Sequence, residues 1–321
     1  MKEITITDIK GIQVGQAQNE VGGSGCTVIL CKAGCVAGVD VRGGGPATRE
    51  TDLLNPINMV QQIHAVMLSG GSAFGLDACS GAMQYLEEHE CGFDMQVAHI
   101  PIVCGASLFD LSVGDPACRP DKAMGYAACV DSEQAKPIKE GNVGAGTGAS
   151  VGKILGFEHA MKSGLGTIGV QTGKLQVAAI VAVNACGNVV DYETNEPLAG
   201  IYDAEHQCIL NAKDMVIAQL EQMALPAGNT TIGCIVTNAK LDKAQCTKIA
   251  GIAHNAYARA IHPVHTMSDG DTIFVLSTGE VEVMPDAVGI LATDMMAKAI
   301  NRAVRASKCA YGLKAYEDIC R

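Results

Sequence analysis

The chain has 321 residues, 48% of them apolar, no Trp and a formal net charge of −11. That length supplies core enough to fold alone, and an acidic balance with no offsetting basic run excludes a nucleic-acid-binding surface. No apolar run approaches the roughly 18 residues of a membrane span, and Met1-Lys2-Glu3-Ile4 lacks the basic and apolar regions of a signal peptide, so a cytoplasmic protein is expected.

Residues 1–41 read as strands separated by glycine turns, the clearest being Cys26–Leu30 and Cys35–Val41. Arg42-Gly43-Gly44-Gly45, with Arg49 close behind, suits either an anion cradle or a tight loop beside a surface ion pair. Ala65–Leu68 is the next strand. It runs through Ser69-Gly70-Gly71-Ser72 into a helix reaching about Glu88, with Phe74, Cys79, Met83 and Leu86 near helical spacing. Strand, sharp turn, helix is the setting of a nucleophile elbow. Phe74 stands where the second glycine of that motif belongs, which makes Ser72 a helix N-cap. Prolines 101, 116, 120 and 137 break residues 92–140 into an irregular excursion, with a short helix around Ala123–Cys129.

Gly141–Lys153 is the densest glycine cluster, and its spacing refuses a phosphate-binding loop. Thr147 stands where the first glycine is needed, and Ile154 follows the lysine. Lys153 reads either as a snorkelling surface lysine or as a cation at the end of a close-approach loop. Gly164–Val170 and Leu175–Asn184 form a hairpin turning near Thr172-Gly173. Asn184 ends its apolar strand either as a turn cap or as an amide aimed at a substrate oxygen. A polar loop over 192–204 and a helix over 203–223 follow. Leu225-Pro226-Ala227-Gly228-Asn229 is a turn, and Thr230-Thr231 opens the buried strand after it. Leu241–Ile261 is a helix. His262, His265, Asp269 and Asp271 crowd together, but Pro263 prevents a helical His pair and no further cluster completes a shell, so no metal is expected. Asp269-Gly270-Asp271 turns into the strand Thr272–Leu276, and Asp286 caps a last helix after Pro285. The fourteen cysteines sit mostly inside apolar runs without a C-x-x-C pair. They read as small buried hydrophobes in reducing surroundings, not as a disulfide framework.

In order along the chain, several stretches together resemble one family. They are Gly38-Val39-Asp40-Val41-Arg42-Gly43-Gly44, Arg49-Glu50-Thr51-Asp52, Gly70-Gly71-Ser72-Ala73-Phe74-Gly75, Gly141-Asn142-Val143-Gly144-Ala145-Gly146-Thr147-Gly148, Asn229-Thr230-Thr231 and Asp269-Gly270-Asp271. The family is that of the L-aminopeptidase/D-esterases (DmpA-like), with its β-aminopeptidases and nylon-oligomer hydrolases. The resemblance implies an α+β fold, a four-layer αββα sandwich shared with the ornithine acetyltransferases. It implies a single domain that cuts itself between Asn229 and Thr230 into an α-chain 1–229 and a β-chain 230–321. It implies Thr230 as nucleophile, with Lys153, Asn184, Asp269 and Asp271 around it. Phe109, Gly144, Gly146 and Ser72 are expected to meet substrate, Phe109 standing near the place of a tyrosine that some members use. It implies a small peptide or amide substrate, no organic cofactor and a homo-oligomer, commonly a tetramer.

The chemistry suits those residue types. A threonine hydroxyl needs an adjacent base. An N-terminal threonine carries its own, an α-amine with a reference pKa of about 7.7–8.0. Asp269 and Asp271 are expected to orient the Thr230 hydroxyl and amine, Asn184 to donate to the oxyanion, and Lys153 to stabilise the same charge. Three other functions stay open at this level: acyl transfer to an amine on the same nucleophile, a ligand-binding protein that never processes, and a serine hydrolase built on Ser72.

Overall fold

The computed structural model describes residues 1–134, 136–219 and 228–319. Its main strands are β1 (Lys2–Ile4), β2 (Gln13–Asn19), β3 (Ser24–Val41), β4 (Ile63–Ser69), β5 (Val103–Ser107), β6 (Leu165–Thr172), β7 (Leu175–Asn184), β8 (Thr230–Ala239) and β9 (Thr272–Val281). Its main helices are α1 (Ala78–Glu88), α2 (Lys122–Asp131), α3 (Ala212–Ala218), α4 (Lys243–Ala260) and α5 (Pro285–Ala306).

The strands run in the order β1-β6-β7-β8-β9-β3-β4-β5, and β2 also pairs with β3. β8 and β9 are parallel, as are β4 and β5. β3 belongs to two sheets. Its second half, Val36–Val41, pairs with β9, while Cys26–Leu30 pairs with β4. The two sheets pack face to face, with Ile29, Val66 and Leu68 from one meeting Ile180, Ile232, Cys234 and Phe274 from the other. α4 and α5 cover the outer face of the first sheet, over Val177, Val181 and Ile235. α1 and α2 cover the second, over Val28, Ala65 and Met67. The result is the αββα sandwich, and it explains why β7 and β8 are apolar at nearly every position. Both faces of each strand are buried, and each buried Val, Leu or Ile contributes about 1.5–3 kcal/mol.

Several sequence expectations are corrected here. Cys26–Leu30 and Cys35–Val41 are one strand, not two. Gly34, at φ +84°, makes an irregularity that bends β3 from one sheet to the other and does not reverse it. The same bend brings Cys31 and Cys35 together as a disulfide with Cα atoms 6.1 Å apart, against the expectation of reduced cysteines. Ser72 caps nothing. Gly71, at φ +80°, holds the N-cap of the 3-10 turn Ser72–Asp77, and Asp77 holds that of α1. Met284 precedes α5, Pro285 opens it, and Asp286 lies inside its first turn. The irregular excursion contains β5, a strand too short to show a period. The polar loop 192–204 contains the strands Pro197–Ala199 and Ile201–Asp203, each paired antiparallel with a neighbour. The helix expected from residue 203 begins only at Ala212, where the Asn211 side chain caps the N–H groups of Lys213 and Asp214. Its expected end and the Leu225-Pro226 turn lie outside the described residues.

Candidate active site

One end of the first sheet gathers the polar residues. β7 ends there at Asn184, β8 begins there at Thr230, and the two are direct register partners. The parallel pairing of β8 with β9 sets the Asp269–Asp271 turn beside the start of β8, and Asn229 bridges Asp269. The Gly43–Gly45 loop clamps that turn from outside. Gly45 N–H donates to Asp269 O at 2.8 Å, and Gly44 N–H to Thr266 O at 3.1 Å. The two nearby arginines turn elsewhere, Arg42 to Asp40 and the Gly251 carbonyl, Arg49 to Ser80. The glycine loop therefore serves here as a backbone brace on the turn.

Thr230 is 4% exposed, and its hydroxyl donates to the carbonyl of Asn229, the residue just before it. That carbonyl also accepts the Gly270 N–H at 2.9 Å. Gly228 enters at φ +97°, and a Cβ there would lie 2.5 Å from the Phe109 ring. The peptide before Thr230 is thus held by glycine on both sides, Gly228 in its own strand entry and Gly270 across from it.

Lys153 is no snorkelling lysine. It is 7% exposed, and its ammonium donates to Ser150 O at 3.1 Å, Asn184 O at 3.1 Å and Asn184 Oδ1 at 2.9 Å. Three acceptors match the three protons of the charged form. Burial pulls its pKa down to about 7, against the nearby carboxylates of Asp269 and Asp110. Asn184 uses Oδ1 on Lys153 and on the Ser150 N–H (3.0 Å), and its NH₂ donates to Phe109 O at 2.8 Å. Its amide therefore ties three segments together at the head of β8.

Asp269 accepts the Thr266 N–H at 2.6 Å, and burial, then the charge of Asp271, raises its pKa. Asp271 accepts the Thr231 N–H on Oδ1 at 2.7 Å, and on Oδ2 the backbone N–H and Nδ1 of His265 at 3.0 and 2.9 Å. The pair thus braces the backbone around Thr230 where its hydroxyl was the expected partner. His262 turns away from this cluster, its Nε2 on Ala258 O at 3.1 Å.

A small cleft of about 70 Å³ opens beside Lys153 and Gly228, walled by Phe109, Asp110, Ser112, Val113, Ser150 and Phe157. Phe109 is one of its walls. Gly144, Gly146 and Ser72 are not among its walls. A Cβ on Gly144 would lie 2.2 Å from Thr27 Oγ1, and one on Gly146 2.2 Å from Leu165 N, so these glycines serve internal packing. Ser72 is engaged through its backbone, donating to Leu108 O at 2.9 Å.

Two groups escaped the sequence reading. Lys162 is fully buried and pairs its backbone with Ser150, while its ammonium donates to Gly146 O, Ala149 O and Ser163 O at 3.1, 2.9 and 2.5 Å. Burial lowers its pKa to about 7. Asp110 accepts Ser24 Oγ and the Gly71 N–H, each at 2.7 Å, and burial raises its pKa to about 6. A lone lysine after Ala160-Met161 and an aspartate after Phe109 carry no spacing that marks them.

Comparison with known proteins fits this geometry. Residues 5–312 match the description of peptidase family S58. An uncharacterized aminopeptidase of Mycobacterium tuberculosis is 41% identical over 347 residues, covering 98% of this chain and 97% of that protein. A 6-aminohexanoate-oligomer endohydrolase of Paenarthrobacter ureafaciens is 32% identical over 324 residues, covering 94% and 86%. Among solved structures, the L-aminopeptidase D-Ala-esterase/amidase of Ochrobactrum anthropi, described as a variant of the Ntn hydrolase fold, superposes with a TM-score of 0.69 at 19% identity over 94% of this chain and 86% of that one. A Burkholderia sp. beta-aminopeptidase gives 0.67 at 20% identity over 97% and 90%.

Proposed function

The chain belongs to peptidase family S58 and is a hydrolase of peptide or amide bonds, and from that premise we propose that it activates itself by cutting Asn229–Thr230 and then works through Thr230. The observation that carries this reading is the Thr230 hydroxyl lying on the carbonyl of its own preceding peptide, with the Gly270 N–H on the same oxygen.

In maturation, Thr230 Oγ1 attacks the Asn229 carbonyl carbon and the Gly270 N–H meets the developing oxyanion. The C–N bond breaks, the amine keeps its nitrogen and gains a proton, and an ester joins Asn229 to the threonine oxygen. Water opens that ester, leaving a carboxylate at Asn229 and a free amine at Thr230. In turnover that amine takes the Oγ1 proton as the hydroxyl attacks a substrate amide. The leaving amine departs protonated, and water releases the acyl group. Lys153 lines the same cleft as Gly228, and Asn184, register partner of Thr230, ties Lys153 to the Phe109 segment there.

The products of maturation are residues 1–229 and the stretch from 230 onward. The substrate class is an unbranched peptide or amide, supported by the names of the relatives and by the apolar walls Phe109, Val113 and Phe157. Cytoplasmic residence is supported by the free cysteines, eleven among the described residues against the single bonded pair Cys31–Cys35. A homo-oligomer of tetrameric size is part of the reading by family resemblance alone. Denaturing mass spectrometry of the purified protein beside Thr230→Ala tests the core of the reading. Two fragments meeting at Asn229/Thr230 in the wild type and one chain in the variant are expected. One intact chain in both, after prolonged incubation, sinks it.

A further inference from the structure

His265 has no part in the chemistry above, yet its placement is costly. Its φ is +58°, a region in which a side chain with a Cβ is uncommon. Such backbone persists where its surroundings over-determine it. Those surroundings are specific. The ring stacks on Tyr257 at 5.9 Å between centroids and meets His254 edge-on at 4.8 Å. Its Nδ1 and its own backbone N–H both converge on Oδ2 of Asp271. Nδ1 therefore carries a proton, and Nε2 has no partner among the described residues.

Asp271 is 1% exposed, so its carboxylate depends on donors inside the fold. Its two oxygens divide the work. Oδ2 takes the two donors of His265, and Oδ1 takes the N–H of Thr231, one residue past Thr230. A carboxylate held on one oxygen by two donors cannot rotate without abandoning both. If the imidazole donor is removed, a single backbone N–H remains on that side, and the grip on Thr231 loosens.

We infer that His265 is a positioning residue, which locks the Asp271 carboxylate so that the start of β8 presents Thr230 to the Asn229 carbonyl. It touches no reacting atom and acts through Asp271. This rests on Thr230 being the nucleophile.

The test uses the full chain as its own substrate. Wild type, Thr230→Ala, His265→Gly and His265→Asn are made by cell-free synthesis, and the first-order loss of intact chain is followed by denaturing mass spectrometry, with a thermal melt for each. Glycine accepts φ +58° freely but removes the side-chain donor. Asparagine tolerates the same φ and returns an N–H at the δ position. Expected are processing slowed roughly tenfold or more in His265→Gly, the loss of one charge-assisted hydrogen bond, and recovery to within about threefold of wild type in His265→Asn, a residual loss smaller than that of one hydrogen bond. Asparagine lacks the ring that packs against Tyr257 and His254, so a mere filling role predicts that it recovers little of the loss. His265→Gly processing at the wild-type rate overturns the inference, and so does His265→Asn as slow as His265→Gly. Should His265→Gly show no melting transition, His265→Asn decides alone: near-wild-type processing supports the inference, and a tenfold loss, the size of one charge-assisted bond, overturns it. Thr230→Ala that still converts would defeat the nucleophile assignment itself, whatever the histidine variants do.

Discussion

Asn184 stands directly across the sheet from Thr230, and its amide joins the Lys153 ammonium to the Phe109 carbonyl. Three segments distant in sequence therefore meet over one peptide bond. Replacing Asn184 by Ala strips an acceptor from a buried ammonium and a donor from the half-buried Phe109 carbonyl. A hydrogen bond to a charged group is worth about 1.5–3 kcal/mol, so processing of Asn184→Ala is expected to slow at least tenfold. A time course of fragment appearance measures this, and an unchanged rate would remove Asn184 from the site.

Gly270 is a sharper probe of geometry. A Cβ there would lie 2.8 Å from Thr230 Oγ1 and 3.0 Å from the Gly45 carbonyl. The first contact presses on the hydroxyl itself. Gly270→Ala should keep the fold, because the turn needs no positive φ at that position, yet displace the reacting oxygen. A displacement near 1 Å can cost about a hundredfold in rate. The expected pair of results is a melting temperature close to wild type and a large loss of processing. Wild-type processing would show that the turn yields without moving Thr230.

Buried charge makes the stability depend on pH in a defined sense. Lys153 and Lys162 are both lowered from 10.5 to about 7 by burial. Between those values the unfolded chain binds more protons than the folded one, so stability rises as pH rises from about 7 towards 10. Asp110 is raised from 3.8 to about 6, so its contribution is present at low pH and lost as pH rises through 6. Together the three groups place a minimum between about pH 6 and 7. Thermal melts across this range should show a smaller gain above pH 7 in Lys162→Met than in the wild type. An identical gain would mean that Lys162 does not titrate in that window.

Much of the site was legible because it lies where secondary structure changes. Asn229-Thr230 stands between turn residues and a β-branched run, and Asn184 ends an apolar run that could only be a doubly covered strand. Asp269-Gly270-Asp271 is turn chemistry whatever its function. The roles of these residues were harder to read than their places. Asp271 was expected at the Thr230 hydroxyl and instead takes the Thr231 N–H, a matter of strand register that no local pattern carries. The local pattern left Lys153 open between a surface lysine and a loop-end cation, because burial of a lysine depends on acceptors supplied from elsewhere, here Ser150 O and the two oxygens of Asn184. Lys162, deeper still, sits in a stretch without period or motif. Gly34 read as a turn because a glycine that bends a strand and one that reverses it look alike in sequence.

Strand β8 has a consequence for refolding. It lies between β7 and β9, and all ten of its residues are buried. A cut just before Thr230 therefore severs the covalent chain but leaves both pieces locked in a common sheet. Unfolding such a cut protein sets two polypeptides free to diffuse apart, and reassembly becomes a second-order encounter whose yield depends on concentration. The uncut chain, in contrast, regains the fold of its own subunit in a first-order step. Maturation would thus convert a reversible folding equilibrium into a largely one-way commitment, with the lifetime of the active form set by how slowly it opens.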